Sequence, residues 1–124
     1  MTTTRTGTCH CGAVVFEVHL EDDLGKLLRC NCSLCRRKGA IMAFAPVENL
    51  TVVKGADMLA LYQWNTKVAK HYFCKLCGIY THHQRRSDPT QVGFNVGCLD
   101  SVDPFALGDI PVANGASMSV AGPK

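Results

Sequence analysis

Eight cysteines stand in this 124-residue chain as three tight clusters and one singleton. The clusters are Cys9-His10-Cys11-Gly12, Cys30-Asn31-Cys32-Ser33-Leu34-Cys35 and Cys74-Lys75-Leu76-Cys77-Gly78, and Cys98 stands apart. Neighbours one or two residues apart suit a shared metal ion better than separate disulfides. The first residues, Met1 to Gly7, lack the apolar segment of a signal peptide. No apolar run approaches the ~20 residues of a membrane helix. The expected location is therefore the cytoplasm, where thiols stay reduced.

A Cys-x-x-Cys followed by glycine is a zinc knuckle, a tight turn that aims both sulfurs at one point. Cys9 and Cys11 are expected near the start of a strand, where residues i and i+2 share a face and also converge. Two such pairs complete a tetrahedron, which predicts a structural zinc at Cys9, Cys11, Cys74 and Cys77. The site would clip the first strand to a hairpin far along the chain and offset a long loop closure. Structural zinc carries apparent free energies of ~10–16 kcal/mol in small peptides. Cys30, Cys32 and Cys35 supply three sulfurs within six positions. Three protein ligands leave one position for water or substrate, the pattern of catalytic zinc. The alternatives are a closed second site completed by Cys98, or three plain buried cysteines. Two Zn²⁺ per chain are expected.

Apolar and β-branched runs of strand length recur between turn signals. They are Ala13 to Val18, Ala40 to Phe44, Leu50 to Val53, Leu59 to Trp64, Val68 to Phe73, Ile79 to His83 and Val92 to Val96. Lys54-Gly55-Ala56-Asp57 and Arg86-Ser87-Asp88-Pro89 read as turns. Many short strands at close spacing predict an all-β domain with few short helices. One helical turn is expected over Ser33 to Lys38, capped by Ser33, and a second over Leu20 to Leu28. The chain reads as a single domain over 1–124, with its core over 6–104. The tail 105–124 wraps the surface or frays.

A formal charge of +3 without a long basic run argues against a nucleic-acid binder. His10 shields the first knuckle. His82 and His83 fall on one strand and face opposite ways; they read as hydrogen-bonded strand histidines, or one of them serves the second cluster as a proton shuttle. His19 and His71 carry no signal of their own. Tyr62, Trp64, Tyr72 and Phe73 read as core or partly exposed sheet face, and Arg85 and Arg86 as solvated loop.

Four ordered segments resemble one known family. Gly7-Thr8-Cys9-His10-Cys11-Gly12-Ala13-Val14 and Cys30-Asn31-Cys32-Ser33-Leu34-Cys35-Arg36-Arg37 resemble the opening and the central motif of the glutathione-dependent formaldehyde-activating enzymes, which include centromere protein V-like domains. Phe73-Cys74-Lys75-Leu76-Cys77-Gly78 and Val96-Gly97-Cys98-Leu99-Asp100 complete the order. The resemblance implies a β-tent type fold of small antiparallel sheets. It implies a structural zinc at Cys9, Cys11, Cys74 and Cys77 and a catalytic zinc at Cys30, Cys32 and Cys35.

The implied activity is a zinc-dependent carbon–sulfur lyase working in reverse. It would join glutathione, or a similar thiol, to a small aldehyde as an S-(hydroxymethyl)glutathione synthase does. Arg36 and Arg37, with Lys38 behind them, are then candidates for the carboxylates of glutathione, or they solvate the end of a short helix. Cys98 stands where relatives often carry serine. Asn114-Gly115-Ala116-Ser117 departs from the Asn-His ending of many members. The rival readings are a non-catalytic zinc module that binds protein or nucleic acid, and a thiol carrier.

Overall fold

The computed structural model describes residues 3–64 and 67–115. Its architecture is all-β, in small sheets joined by short turns. A three-stranded antiparallel sheet runs in the order β1 (Thr3–Thr8), β2 (Val15–Leu20), β5 (Leu50–Lys54). A five-stranded antiparallel sheet runs in the order β4 (Met42–Pro46), β9 (Gln91–Asn95), β8 (Tyr80–Gln84), β7 (Lys70–Cys74), β6 (Leu59–Tyr62). Two short strands, β3 (Arg29–Cys30) and β10 (Val112–Ala113), pair in parallel.

Strand β2 shows why the sheets stack. Phe16, Val18 and Leu20 alternate with Val15, Glu17 and His19, and the first three are buried. They meet Ile41, Ala43 and Ala45 around β4 and Val92, Phe94 and Val96 around β9 in one apolar cluster. Phe16 and Phe94 pack edge to face at 6.4 Å between centroids.

The seven expected strand runs all form, with ends shifted by up to about two residues at most termini. Strand β1 escaped the pattern because its Thr-rich sequence carries no large apolar residue. Cys9 and Cys11 consequently do not share a strand face. They sit in the β1–β2 hairpin loop, where the Cys9 N–H donates to Val14 O (3.0 Å) and the Gly12 N–H to Cys9 O (3.2 Å). No helix forms over Leu20 to Leu28. Asp23 and Gly25 take positive φ (54° and 56°), and Asp23 is held to Arg5 of β1 by two hydrogen bonds of 2.6 and 2.7 Å.

The expected helical turn is α1 (Cys35–Lys38), but Ser33 does not cap it. Instead the Cys35 N–H donates to Cys32 Sγ at 3.3 Å, so a thiol does the work expected of the hydroxyl. The tail neither frays at once nor merely covers the surface. Strand β10 lies along β3 and carries Asn114 and Gly115 to the middle cluster. Ala116 and Ser117 lie outside the described residues. No helix among the described residues is long and apolar enough to cross a membrane.

Candidate metal centres

The first centre joins two hairpin loops from different sheets. The β7–β8 loop repeats the geometry of the β1–β2 loop: Cys74 N–H donates to Ile79 O (3.0 Å) and Gly78 N–H to Cys74 O (2.8 Å). Gly78 and Gly12 hold φ of 79° and 83°, where a side chain would be strained. The Sγ atoms of Cys9, Cys11, Cys74 and Cys77 all lie within 4.8 Å of one another. Cys11 Sγ is 3.7 Å from both Cys9 Sγ and Cys74 Sγ.

That spacing is far beyond a disulfide of about 2.05 Å. It matches the edge of about 3.8 Å that Zn–S bonds of ~2.3 Å impose on a tetrahedron. Backbone donors stabilise the thiolates. Val14 N–H reaches Cys9 Sγ at 3.3 Å, and the Ile79 N–H pulls Cys77 down to about 6. The donor set fits a closed metal centre. His10 is exposed beside it.

The second centre is one short run of chain. Cys30 ends β3, Cys32 follows in the turn, and Cys35 opens α1. Their three Sγ atoms lie within 4.8 Å of one another, with no fourth Cys, His, Asp or Glu joining them among the described residues. Cys98 does not close the site. It is buried in the apolar core, its thiol turned to Tyr80 O at 3.6 Å, and burial pushes it up to about 12. Cys30 and Cys35 titrate as a pair. The hydrogen bond from Cys35 holds Cys30 down to about 5 and pushes Cys35 up.

Strap β10 reaches this centre. The Gly115 N–H also donates to Cys30 Sγ. A Cβ on Gly115 would sit 2.6 Å from Cys30 Sγ and 2.9 Å from Cys32 Cβ, so only glycine allows the approach.

The second centre opens on a cavity lined largely by apolar side chains. His71 and His83 line it. Both are buried, and burial lowers His71 to about 4 and takes His83 well below its ordinary value, so both imidazoles are neutral near pH 7. His71 Nδ1 is 3.0 Å from Lys38 Nζ, which stands 3.7 Å above the Tyr80 ring. Tyr80 in turn shares a 2.5 Å hydrogen bond with His83 Nδ1. Burial lowers Lys38, while the charges of Cys35, Cys32 and Cys30 push it back up.

A bulge creates this group. The β7–β8 pairing steps from Tyr72↔His82 to Phe73↔Tyr80, leaving Thr81 as the extra residue. Tyr80 and His83, three apart, therefore act together. His82 stacks on Tyr72 at 4.8 Å and approaches the Phe16 ring of the core.

Arg36 and Arg37 are exposed and do not line the cavity, and Arg37 turns back to donate to Ser33 O at 2.6 Å. The cations that line it are Arg85 and Arg86, read from sequence as solvated loop, and Trp64 lines it rather than a sheet face. Lys38, not its arginine neighbours, faces the sulfurs. One signal pointed there: on a helical turn, positions i and i+3 share a side, which pairs Cys35 with Lys38.

Comparison with known proteins points to one family. The family model GFA, described as glutathione-dependent formaldehyde-activating enzyme, matches residues 4–109. A protein of Emericella nidulans is 32% identical over 78 residues, which is 60% of this chain and 39% of that protein. One of Halomonas elongata is 33% identical over 79 residues, 57% of this chain and 50% of that protein. Both are named "Putative glutathione-dependent formaldehyde-activating enzyme". This chain thus spans half or less of the length of these curated relatives. The crystal structure of a Rhodobacter sphaeroides protein superposes with a TM-score of 0.85 at 55% identity, covering 87% of this chain and 99% of that one. With the family model spanning residues 4–109, this chain belongs to the glutathione-dependent formaldehyde-activating enzyme family.

Proposed function

We propose that this protein binds two zinc ions and uses the second to join a thiol to an aldehyde as a hemithioacetal, a carbon–sulfur lyase reaction run in the forward or reverse sense. Glutathione and formaldehyde are the pair that the family's name supplies. The observation that carries the reading is the unequal build of the two centres: four converging sulfurs in one, three beside a cavity in the other. Cys9, Cys11, Cys74 and Cys77 would hold a structural ion, and Cys30, Cys32 and Cys35 a catalytic one. Bound at the latter, zinc supplies a position for a thiol and lowers that thiol's pKa.

The chain's own residues do the rest. Lys38 sets a positive charge toward the three sulfurs. An ammonium only donates, so His71 Nδ1 accepts from Lys38 and the ring proton sits on Nε2. The substrate sulfur loses its proton, and its electron pair forms the C–S bond as the carbonyl pair moves onto oxygen. That oxygen takes the Nε2 proton of His71 as Lys38 passes one to Nδ1. The thiol proton goes to solvent, and proton exchange with solvent returns the ammonium of Lys38 and the Nε2–H tautomer of His71 before the next turnover. The cavity walls hold the two reactants together, which is the larger part of the catalysis.

The test is exchange spectroscopy on an equilibrium mixture of glutathione, formaldehyde and their adduct. The zinc-loaded protein is expected to raise the exchange rate above the spontaneous one. Lys38→Met is expected to lower the protein-dependent rate by about 10²-fold or more. A protein that binds glutathione without raising the rate is a carrier, which contradicts the proposal.

A further inference from the structure

The wall of the cavity narrows the thiol. Leu28, Leu34, Met42, Phe44, Trp64 and Ala69 line it beside the three cysteines. Except for Met42, which is buried, they are half-buried apolar side chains. Such a wall gains from an apolar occupant and gains nothing from a charged one.

Charge on the wall has one sign. Arg85 and Arg86 line the cavity. Arg85 is held there, its Nη1 donating to Gln91 Oε1 at 2.7 Å and its guanidinium 4.3 Å from the Phe44 ring centroid. No Asp or Glu is among the described lining residues, and the segments outside the description contain none. Two guanidinium groups suit a carboxylate or phosphate. An ammonium would meet those two cations, which disfavours it on this side of the cavity. Glutathione carries an ammonium beside two carboxylates and has no apolar body to cover the wall.

Resting on the thiol-binding reading above, we propose that the preferred thiol has an apolar chain or ring running from the sulfur along the Leu28–Met42–Phe44–Trp64 wall and an anionic end at Arg85 and Arg86. The reaction is unchanged: this thiol adds through sulfur to the aldehyde carbon. Only the body behind the sulfur differs from glutathione.

Calorimetry of the zinc-loaded full chain with ω-mercaptoalkanoates, from 3-mercaptopropanoate to 8-mercaptooctanoate, tests the assignment against glutathione. Affinity is expected to climb about 3- to 4-fold per added methylene while the wall fills, and to pass that of glutathione. The octanoate is expected to bind at least about 10-fold more tightly than 8-mercaptooctanol, with Arg86→Gln closing most of that gap. Cys32→Ser is expected to remove binding of the whole series.

Affinity independent of chain length, or glutathione as the tightest ligand, overturns this assignment and leaves the thiol site standing. Equal binding of acid and alcohol overturns the anionic end. Undiminished binding by Cys32→Ser shows a cavity filled without its sulfur at the centre and overturns the assignment. Failure of every thiol, glutathione included, overturns it together with the proposed function.

Discussion

At Cys9, Cys11, Cys74 and Cys77 the sulfurs stand on hairpin loops of two sheets, 63 residues apart at Cys11 and Cys74. At Cys30, Cys32 and Cys35 they stand on six consecutive positions beside an open cavity. The first arrangement is distributed: a common ion would tie those two loops together beside the small apolar cluster they share. The second is local, so the surrounding chain is expected to keep its course on loss of an ion there. The titratable side chains divide the same way. His71, His83, Tyr80 and Lys38 gather near the second centre, while the first meets the small apolar cluster around Val14 and Cys74. On the proposed reading the same ligand atom would serve architecture where it bridges distant chain and chemistry where it borders open space.

Substitution at each centre gives the sharpest contrast. Cys74→Ser is expected to abolish folding, read as loss of the cooperative thermal transition and of far-ultraviolet strand signal. Cys32→Ser is expected to keep the fold, bind one zinc fewer and lose the protein-dependent exchange of glutathione and formaldehyde. Similar behaviour of the two variants would erase the distinction between the centres.

Gly115→Ala probes the strap. Its methyl group must displace the thiol of Cys30 or lift β10 from β3. Zinc affinity at the second centre should fall about 10–100-fold, as losses of outer contacts to a metal site do. The first centre should be untouched, which a competition titration with a chromophoric chelator will show.

The smallest expected effect is on pH dependence. His82 lies within the fold, and burial lowers it from its ordinary 6.5 to about 4. Between those values the unfolded chain holds the extra proton, so the contribution of a neutral His82 to stability is full above about 6.5 and is lost as pH falls toward about 4. Replacement by Gln should flatten this part of the acid limb in urea titrations. A limb of unchanged slope would mean that His82 does not titrate there.

Much of this was legible in the residues. The cysteine spacings alone grouped the ligands, because a metal site writes its geometry into short intervals of sequence. Alternating apolar runs marked seven strands for the same reason of short range. Three features depended on longer range. Strand β1 is threonine-rich and takes its strand form from pairing with β2. The parallel pair β3–β10 joins residues some eighty positions apart in strands of two residues each. The cavity wall at Arg85 and Arg86 exists only because the end of β8 comes near Trp64 and the middle cluster. The bulge at Thr81 shows a different limit: strict alternation separates Tyr80 from His83, and one unpaired residue puts them in a 2.5 Å hydrogen bond.

The most direct test of two unlike centres is stepwise chelation of the native protein, with released zinc and folding followed together. Two ions are expected per chain. The first should leave with strand content and the thermal transition retained, and the second only as the chain unfolds. Release of both in one step, or unfolding on loss of the first ion, would contradict the account.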